Sequence, residues 1–245
     1  MKIALFSDIH ANLPAFEAML QDVDSQQPDA VYCLGDLVGY HIWPNEVISE
    51  IRKRGIATIK GNHDEKVENL ITTADSLTEP GKKYAYHLIE DSNREYLKAL
   101  PGHIKLEYKL NGQKLNLVFA HGSPRKIDEY VLVDTDESYV LGMLEEADAD
   151  LLFVGHSHKP YHRILHTADG AYKHVVNLGS VGKPKDGDPR GCYVMLTVSH
   201  NSSVLDKDSI QVDFRRVAYD VEASAKAIEK SLLPDQFADA LRVAK

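Results

Sequence analysis

The chain has 245 residues, 43% hydrophobic and 27% charged, an ordinary globular mixture that excludes disorder, collagen-like repeats and low-complexity character. Lys plus Arg number 28 against 37 Asp plus Glu, a net charge of −9 that argues against a general basic field for gripping nucleic acid. A phosphate-handling site therefore has to make its own local positive charge. Two cysteines, Cys33 and Cys192, lie far apart without metal-ligand spacing, so neither a disulfide framework nor a zinc ribbon is available and a cytoplasmic location is expected.

The N-terminal run stops at Asp8, too short for a signal-peptide core or a membrane span, and reads as a buried first strand over 2–7. Asn12 as N-cap, Pro14 in the first turn and Leu13, Phe16, Leu20 and Val23 on one face predict a helix over about 13–26. Next come a strand over 30–35 and a helix that begins at Pro44, buries Val47, Ile48 and Ile51, and stops at Gly55. After a strand over 56–61, residues 64–100 hold no strand pattern; Glu79-Pro80-Gly81 breaks them and Pro101-Gly102 closes them, which predicts a small helical cap inserted in a single domain spanning 1–245. Further strands are expected over 115–120, 151–155, 174–179, 192–198 and 209–217, with an Ala-rich helical tail from about 220. Strands alternating with helices indicate a layered α/β fold.

The chemistry lies at the strand exits. Asp8 and His10 stand after the first strand, Asp36 after the second, Asn62, His63 and Asp64 after the third, His121 after the fourth, and His156 and His158 after the fifth. In α/β sheets ligands bind at the carboxyl ends of strands, where loops converge. Taken singly, each cluster has a plain alternative: an Asp at a strand end is usually a turn or cap residue, and a lone His usually a surface or satisfied core residue. Five such clusters in consecutive order are costly at buried strand ends unless a ligand satisfies them. Mixed oxygen and imidazole donors suit Mn, Fe, Zn or Ni better than the all-oxygen shells typical of Ca or Mg, and the set reads as a dinuclear centre.

The series Asp8-x-His10, Gly35-Asp36, Gly61-Asn62-His63-Asp64, His121 and Gly155-His156-Ser157-His158 resembles the calcineurin-like metallophosphoesterase superfamily. Asn177-Leu178-Gly179-Ser180-Val181-Gly182 and Gly187-Asp188-Pro189-Arg190 resemble a small bacterial and archaeal phosphodiesterase-like subgroup of it. The resemblance implies a four-layer α/β/β/α sandwich of two mixed sheets with two divalent ions on the rim, manganese favoured. Asp8, His10, Asp36 and His158 would hold one ion and Asp36, Asn62, His121 and His156 the other, with Asp36 bridging. His63 would protonate the leaving group or stabilise its developing charge. Asp64 would orient His63 or cap the helix that begins there.

In the superfamily's Ser/Thr protein phosphatases the bridging Asp is followed by an Asp and an Arg that grips the phosphate dianion. Here Leu37-Val38-Gly39-Tyr40 replaces that segment, which tilts the expected substrate toward phosphodiesters or phosphoanhydrides of small nucleotide-like molecules. Arg125, Lys183 and Arg190 are candidate substrate contacts, while Lys126 and Lys185 read as solvated surface charge. Tyr40 and Trp43 could stack a nucleobase, or pack against the cap with Trp43 as a hydrophobic staple before Pro44. The competing readings are a phosphomonoesterase or protein phosphatase using Arg125 or Arg190, and a non-catalytic scaffold of the kind found in retromer. The scaffold is opposed by the complete ligand set. The expected partner is a small phosphoester or nucleotide, with no stable nucleic-acid complex and no membrane, and no sustained heptad speaks to oligomeric state. His87, His103, His162, His166, His174 and His200 receive no role.

Overall fold

Alternation along the first strand sets the architecture. In β1 (Lys2–Phe6) Ile3 and Leu5 enter one apolar core while Ala4 and Phe6 enter another, so the strand is covered on both faces. The computed structural model describes residues 1–110 and 112–245. Parallel to β1 lie β2 (Ala30–Cys33) and then β3 (Ala57–Thr58). A second sheet contains β4 (His103–Leu110), β5 (Gln113–Ala120), β6 (Leu151–Val154), β7 (Tyr161–His166) and β8 (Tyr172–Asn177) in the order β4-β5-β6-β8-β7, with β5, β6 and β8 parallel. Antiparallel strands β9 (Gly191–Val198) and β10 (Ile210–Val217) complete the first sheet as β10-β9-β1-β2-β3.

The two sheets face each other across Leu5, Leu34, Leu117, Phe119, Phe153 and Val194. Helices α1 (Leu13–Gln26) and α2 (Pro44–Arg54) cover the outer face of the first sheet, burying Phe16, Met19, Val47 and Ile51. Asn12 caps α1 by accepting from the Ala15 N–H, and Pro14 stands in the first turn as the sequence indicates. Each of these large side chains, fully removed from water, contributes about 1.5–3 kcal/mol.

Residues 64–100 hold short helical pieces: α3 (Asn62–Glu65) at the entry, then α4 (Tyr84–His87) and α5 (Asp91–Lys98). Val67, Ile89 and Leu97 of this stretch join the same core as α1 and α2. On the far face α6 (Glu137–Glu146) lays Val140, Met143 and Leu144 on Val118, Leu152 and Val154. The C-terminal α7 (Val221–Glu229) and α8 (Gln236–Val243) make a small cluster with Ala85 of α4. Helix, sheet, sheet, helix is the four-layer sandwich expected.

Two strands are missing from the sequence reading. In β4, Ile104, Leu106, Tyr108 and Leu110 pack partly on the inter-sheet core while Lys105, Glu107 and Lys109 alternate with them, the pattern of a half-covered edge strand. β7, at the other edge, buries Leu165 and little else. Both cysteines are free and buried, and among the described residues no helix is long and apolar enough to cross a membrane.

Candidate metal centre

The parallel strands end on one rim, where backbone bonds lock their loops together. The N–H groups of Asp8, His10 and Ala11 donate to the carbonyls of Gly35, Asp36 and Leu37 at 3.0, 3.0 and 2.7 Å, and Gly155 N–H donates to His121 O at 2.8 Å. Asp8, His10, Ala11, Asp36, Tyr40, His156 and His158 all adopt left-handed φ angles between 51° and 64°. Such a backbone costs about 1–3 kcal/mol per non-glycine residue and tends to persist where function requires it. Among these residues Asp8, His10, Asp36 and His158 bring their side chains together at the rim.

The structure brings Asp8, His10 and His158 together as one group, His10, Asp36 and His63 as a second, and Asp8, Asp36 and His121 as a third, each with donor atoms within 4.8 Å of one another. His158 Nε2 lies 3.1 Å from Asp8 Oδ1, His10 Nε2 3.6 Å from both Asp8 Oδ1 and Asp36 Oδ2, and His121 Nε2 3.4 Å from Asp36 Oδ2. Asn62 Oδ1 is 3.1 Å from His121 Nε2. His156 joins through its N–H, which donates to Asp8 Oδ2 at 3.1 Å, and through its ring, 5.3 Å from that of His121.

The outer nitrogens decide what the inner ones offer. Nδ1 of His10, His121 and His158 faces a backbone carbonyl, of Val38 at 2.9 Å, Leu34 at 2.8 Å and Lys183 at 2.5 Å. A proton committed there leaves Nε2 with a lone pair aimed inward, the arrangement of metal-ligating histidines. His10 Nε2 and His158 Nε2 then stand 3.1 Å apart with lone pairs converging, and Asp8 Oδ1 and Asp36 Oδ2 are buried without a hydrogen-bond partner. Buried acceptors gathered around a point with no donor between them suit a cation, and N/O donors of this kind could hold a divalent transition metal.

Electrostatics agree. Burial opposes ionisation of Asp8, but His158, His10 and His121 hold it well below the usual carboxylate range; Asp36 is likewise lowered against burial by His121, His63 and His10. Burial works against a charge on His121 too, yet the fields of Asp36 and Asp8 push it up to about 10, so a proton competes with an ion for its Nε2. That excess negative field is what a divalent ion neutralises.

The late glycine-rich motif supports the rim from behind. Ser180 Oγ donates to Asp8 O at 2.7 Å, Asn177 Nδ2 to Gly155 O at 2.6 Å, and Asn12 Nδ2 to Gly182 O at 2.8 Å. Asn177 and Ser180 thus hold the backbones of two of the rim loops.

Asp64 does not orient the His63 ring. Its carboxylate accepts from the N–H groups of Asp36, Leu37 and Gly61 at 2.8, 2.9 and 2.9 Å, pinning the loop of Asp36 to that of Asn62, and Gly61 is the residue preceding the short α3. Tyr86, which no sequence motif marks, performs the orienting contact: its hydroxyl meets His63 Nδ1 at 2.5 Å. Burial, opposed by Asp36 and reinforced by His10 and Lys66, lowers His63 to about 3, so the ring is neutral. Burial and Asp36 push the Tyr86 phenol far up, which keeps its proton available for Nδ1.

The substrate candidates divide. Tyr40 stands in the rim, its ring 4.8 Å from that of His10 and 4.9 Å from that of His63, and Lys183 places its ammonium 4.9 Å from the Tyr40 ring while donating to Lys245 O. Arg125 is not brought to the centre; its guanidinium forms a two-point pair with Glu146 and lies over Tyr139. Arg190 turns back on Asp188 two residues earlier and is exposed. Trp43 donates its N–H to Ala11 O ahead of α2 and does not line the cavity beside His63, where Tyr40 does. Lys185, expected as solvated surface charge, is instead partly buried within the field of Asp8 and Asp36. Tyr130 stacks on His156 with ring centres 4.3 Å apart and is 56% exposed.

A chain with this rim has relatives. An uncharacterised protein of Methanocaldococcus jannaschii is 31% identical over 255 aligned residues, covering 98% of this chain and 96% of its own. The crystal structure of a metallophosphoesterase from Sphaerobacter thermophilus superposes with a TM-score of 0.77 at 26% identity, covering 100% of this chain and 99% of that one. A hypothetical protein of Pyrococcus horikoshii shares the fold at a TM-score of 0.76 and 23% identity over 98% of this chain and 97% of its own. Residues 1–201, which carry every strand-end group described above, match the calcineurin-like phosphoesterase superfamily domain, and the chain belongs to that superfamily.

Proposed function

We propose that the chain is a dinuclear metal-dependent hydrolase of phosphodiester or phosphoanhydride bonds in small nucleotide-like substrates. The observation that carries this reading is the convergence of partnerless carboxylate oxygens of Asp8 and Asp36 with inward-facing Nε2 atoms of His10, His121 and His158. Asp8, His10, Asp36 and His158 would hold one ion; Asp36, Asn62, His121 and His156 the other, with Asp36 shared and manganese favoured. When bound, two divalent cations supply Lewis acidity, polarising phosphoryl oxygens and making water a nucleophile near neutral pH.

The chain's own residues supply the rest. Asp64 and Ser180 fix the loops that carry the carboxylates. Tyr86 donates into His63 Nδ1, so the neutral ring keeps its proton on Nε2 and stabilises charge on the departing oxygen by donating a hydrogen bond. Lys183 and Lys185 add positive charge without a bidentate grip. The preference for diesters and anhydrides rests on the buried Leu37 and Val38 after Asp36 and on the pairing of Arg125 and Arg190 with Glu146 and Asp188, which leaves a dianionic monoester without a guanidinium clamp.

The test is hydrolysis of bis(p-nitrophenyl) phosphate against p-nitrophenyl phosphate by Mn²⁺-loaded wild type and His63→Ala, with bound metal counted by elemental analysis. Diester turnover above monoester, lowered about 100-fold in a variant that keeps its metal, is the expected result. Monoester preference would move the assignment to a phosphatase, and absence of turnover by metal-loaded protein to a scaffold.

A further inference from the structure

Next to His63 the rim opens into a cavity of about 270 Å³ lined by Tyr40, His63, Lys66, Lys82, Tyr86 and Phe237. We infer that this cavity is the leaving-group pocket and that it takes a nucleotide, a flat base together with at least one phosphate; the inference rests on the hydrolase reading above and assigns its substrate class. Position gives the first argument. The group that stabilises the departing oxygen must face the departing half of the substrate, and His63 forms one wall of the cavity.

Chemistry gives the second. Tyr40, Tyr86 and Phe237 offer aromatic surface, with the Tyr40 ring 5.0 Å from that of Phe237. Aromatic faces accept any nucleobase by stacking. Lys66 and Lys82 are exposed, and among the described residues neither is paired with a carboxylate, whereas Lys60, Lys105 and Lys173 each are. Two free ammonium groups beside aromatic walls in a protein of net charge −9 select an anion that carries a ring. A larger hollow of about 480 Å³ beside α1 and α2 has the wrong sign for phosphate, with Glu17, Glu46 and Glu50 against Arg54.

Origin gives the third. Phe237 comes from α8, beyond the 1–201 region shared with the superfamily domain. The tail is tied to the rim: Lys183 Nζ donates to Lys245 O, Gly187 N–H to Ala244 O, and Gly81 N–H to Leu232 O. Phe237 of the C-terminal α8 therefore closes, over His63, a pocket whose other walls, Tyr40, Lys66, Lys82 and Tyr86, come from within residues 1–201. At 270 Å³ it falls just under the roughly 300–1,000 Å³ of small-molecule sites and admits one nucleotide rather than a strand.

Calorimetric binding of AMP and of ribose 5-phosphate to the Mn²⁺-loaded full chain tests the assignment, because the two ligands differ by the base. AMP should bind at least about tenfold tighter. Phe237→Leu, which keeps apolar volume and removes the ring, should shrink that preference to about twofold, and Lys66→Gln/Lys82→Gln should weaken both ligands about equally. The lysine pair is exposed, so it remains informative if the Phe237 variant fails to fold. Equal affinity of wild type for the two ligands, or a base preference untouched by Phe237→Leu together with phosphate binding untouched by the lysine pair, overturns the pocket. Hydrolysis of bis(p-nitrophenyl) phosphate by the same wild-type preparation separates the two claims. Turnover without base preference removes the pocket and leaves the hydrolase; base preference without turnover does the reverse.

Discussion

Replacing Asp64 by Asn distinguishes a residue that builds the rim from one that orients His63. The carboxylate accepts three buried backbone N–H groups at 2.8–2.9 Å: Oδ2 takes those of Asp36 and Gly61, and Oδ1 takes that of Leu37. Burial and the neighbouring Asp36 push Asp64 up to about 7, so its charge is a cost to the fold and losing that charge is not itself destabilising. The Asn oxygen can keep the Asp36 and Gly61 bonds, but its NH₂ then faces the Leu37 N–H, donor against donor. The stranded N–H costs about 1–3 kcal/mol. In a chain of this size that lowers Tm by roughly 2–12 °C, read by scanning calorimetry at pH 8 with chelator. Because Asp36 and Asn62 sit on the loops released, Mn²⁺ affinity should fall about 10–100-fold in a separate titration. A variant with Tm within about 2 °C of wild type and unchanged metal affinity, but reduced turnover, would refute this reasoning and restore the orienting role.

Three other parts of the molecule carry predictions of their own. Gly39 has φ +91°, and a Cβ there would meet His63 Nδ1 at 2.6 Å and the Tyr86 hydroxyl at 3.2 Å, so Gly39→Ala should cut kcat on a diester about 100-fold with metal content retained; unchanged kcat would show that His63 placement is unimportant. Mn²⁺ at about 100 times its Kd should stabilise the fold by about 2.7 kcal/mol, or roughly 5–10 °C, and Asp36→Asn should erase most of that shift; an equal shift in the variant places the ion elsewhere. His174, lowered to about 4 by burial and by His162, resists protonation in the fold, so its stabilising contribution is complete above about pH 6.5 and is lost as pH falls toward 4. Between pH 7.5 and 5 wild type should lose about 2 kcal/mol through this group, and His174→Gln should show a correspondingly smaller fall in Tm; identical falls would assign the acid sensitivity to other groups.

The strand-end groups that converge on the rim are legible in the sequence because each comes within a few residues of the end of an apolar strand, and the strands are legible from local hydrophobicity. Helix α1 is readable for the same reason, with cap, proline and apolar face all close together in the chain. Edge strands β4 and β7 are not, since their half-covered faces mix Lys, Glu, Arg and His with apolar residues. Arg190 reads as a substrate contact in the sequence although its partner, Asp188, lies two residues away, a pairing the local sequence contains. Arg125 is different: Glu146 lies 21 residues further on, and nothing near Arg125 in the chain announces it.

Local order along the chain is thus sufficient for the α/β class and for the strand-end groups whose motifs resemble the superfamily. Tertiary structure alone decides which nitrogen of each histidine faces the centre, since Nδ1 is claimed by carbonyls such as Leu34 O, 87 residues from His121. It also decides that Tyr86 rather than Asp64 contacts the His63 ring, and that Phe237 closes a cavity with Tyr40 and Tyr86. The physical reason is range. Hydrophobic period and turn chemistry act between neighbours, whereas an orienting hydrogen bond or a pocket wall depends on a few tenths of an ångström between segments that meet once the sheets have packed.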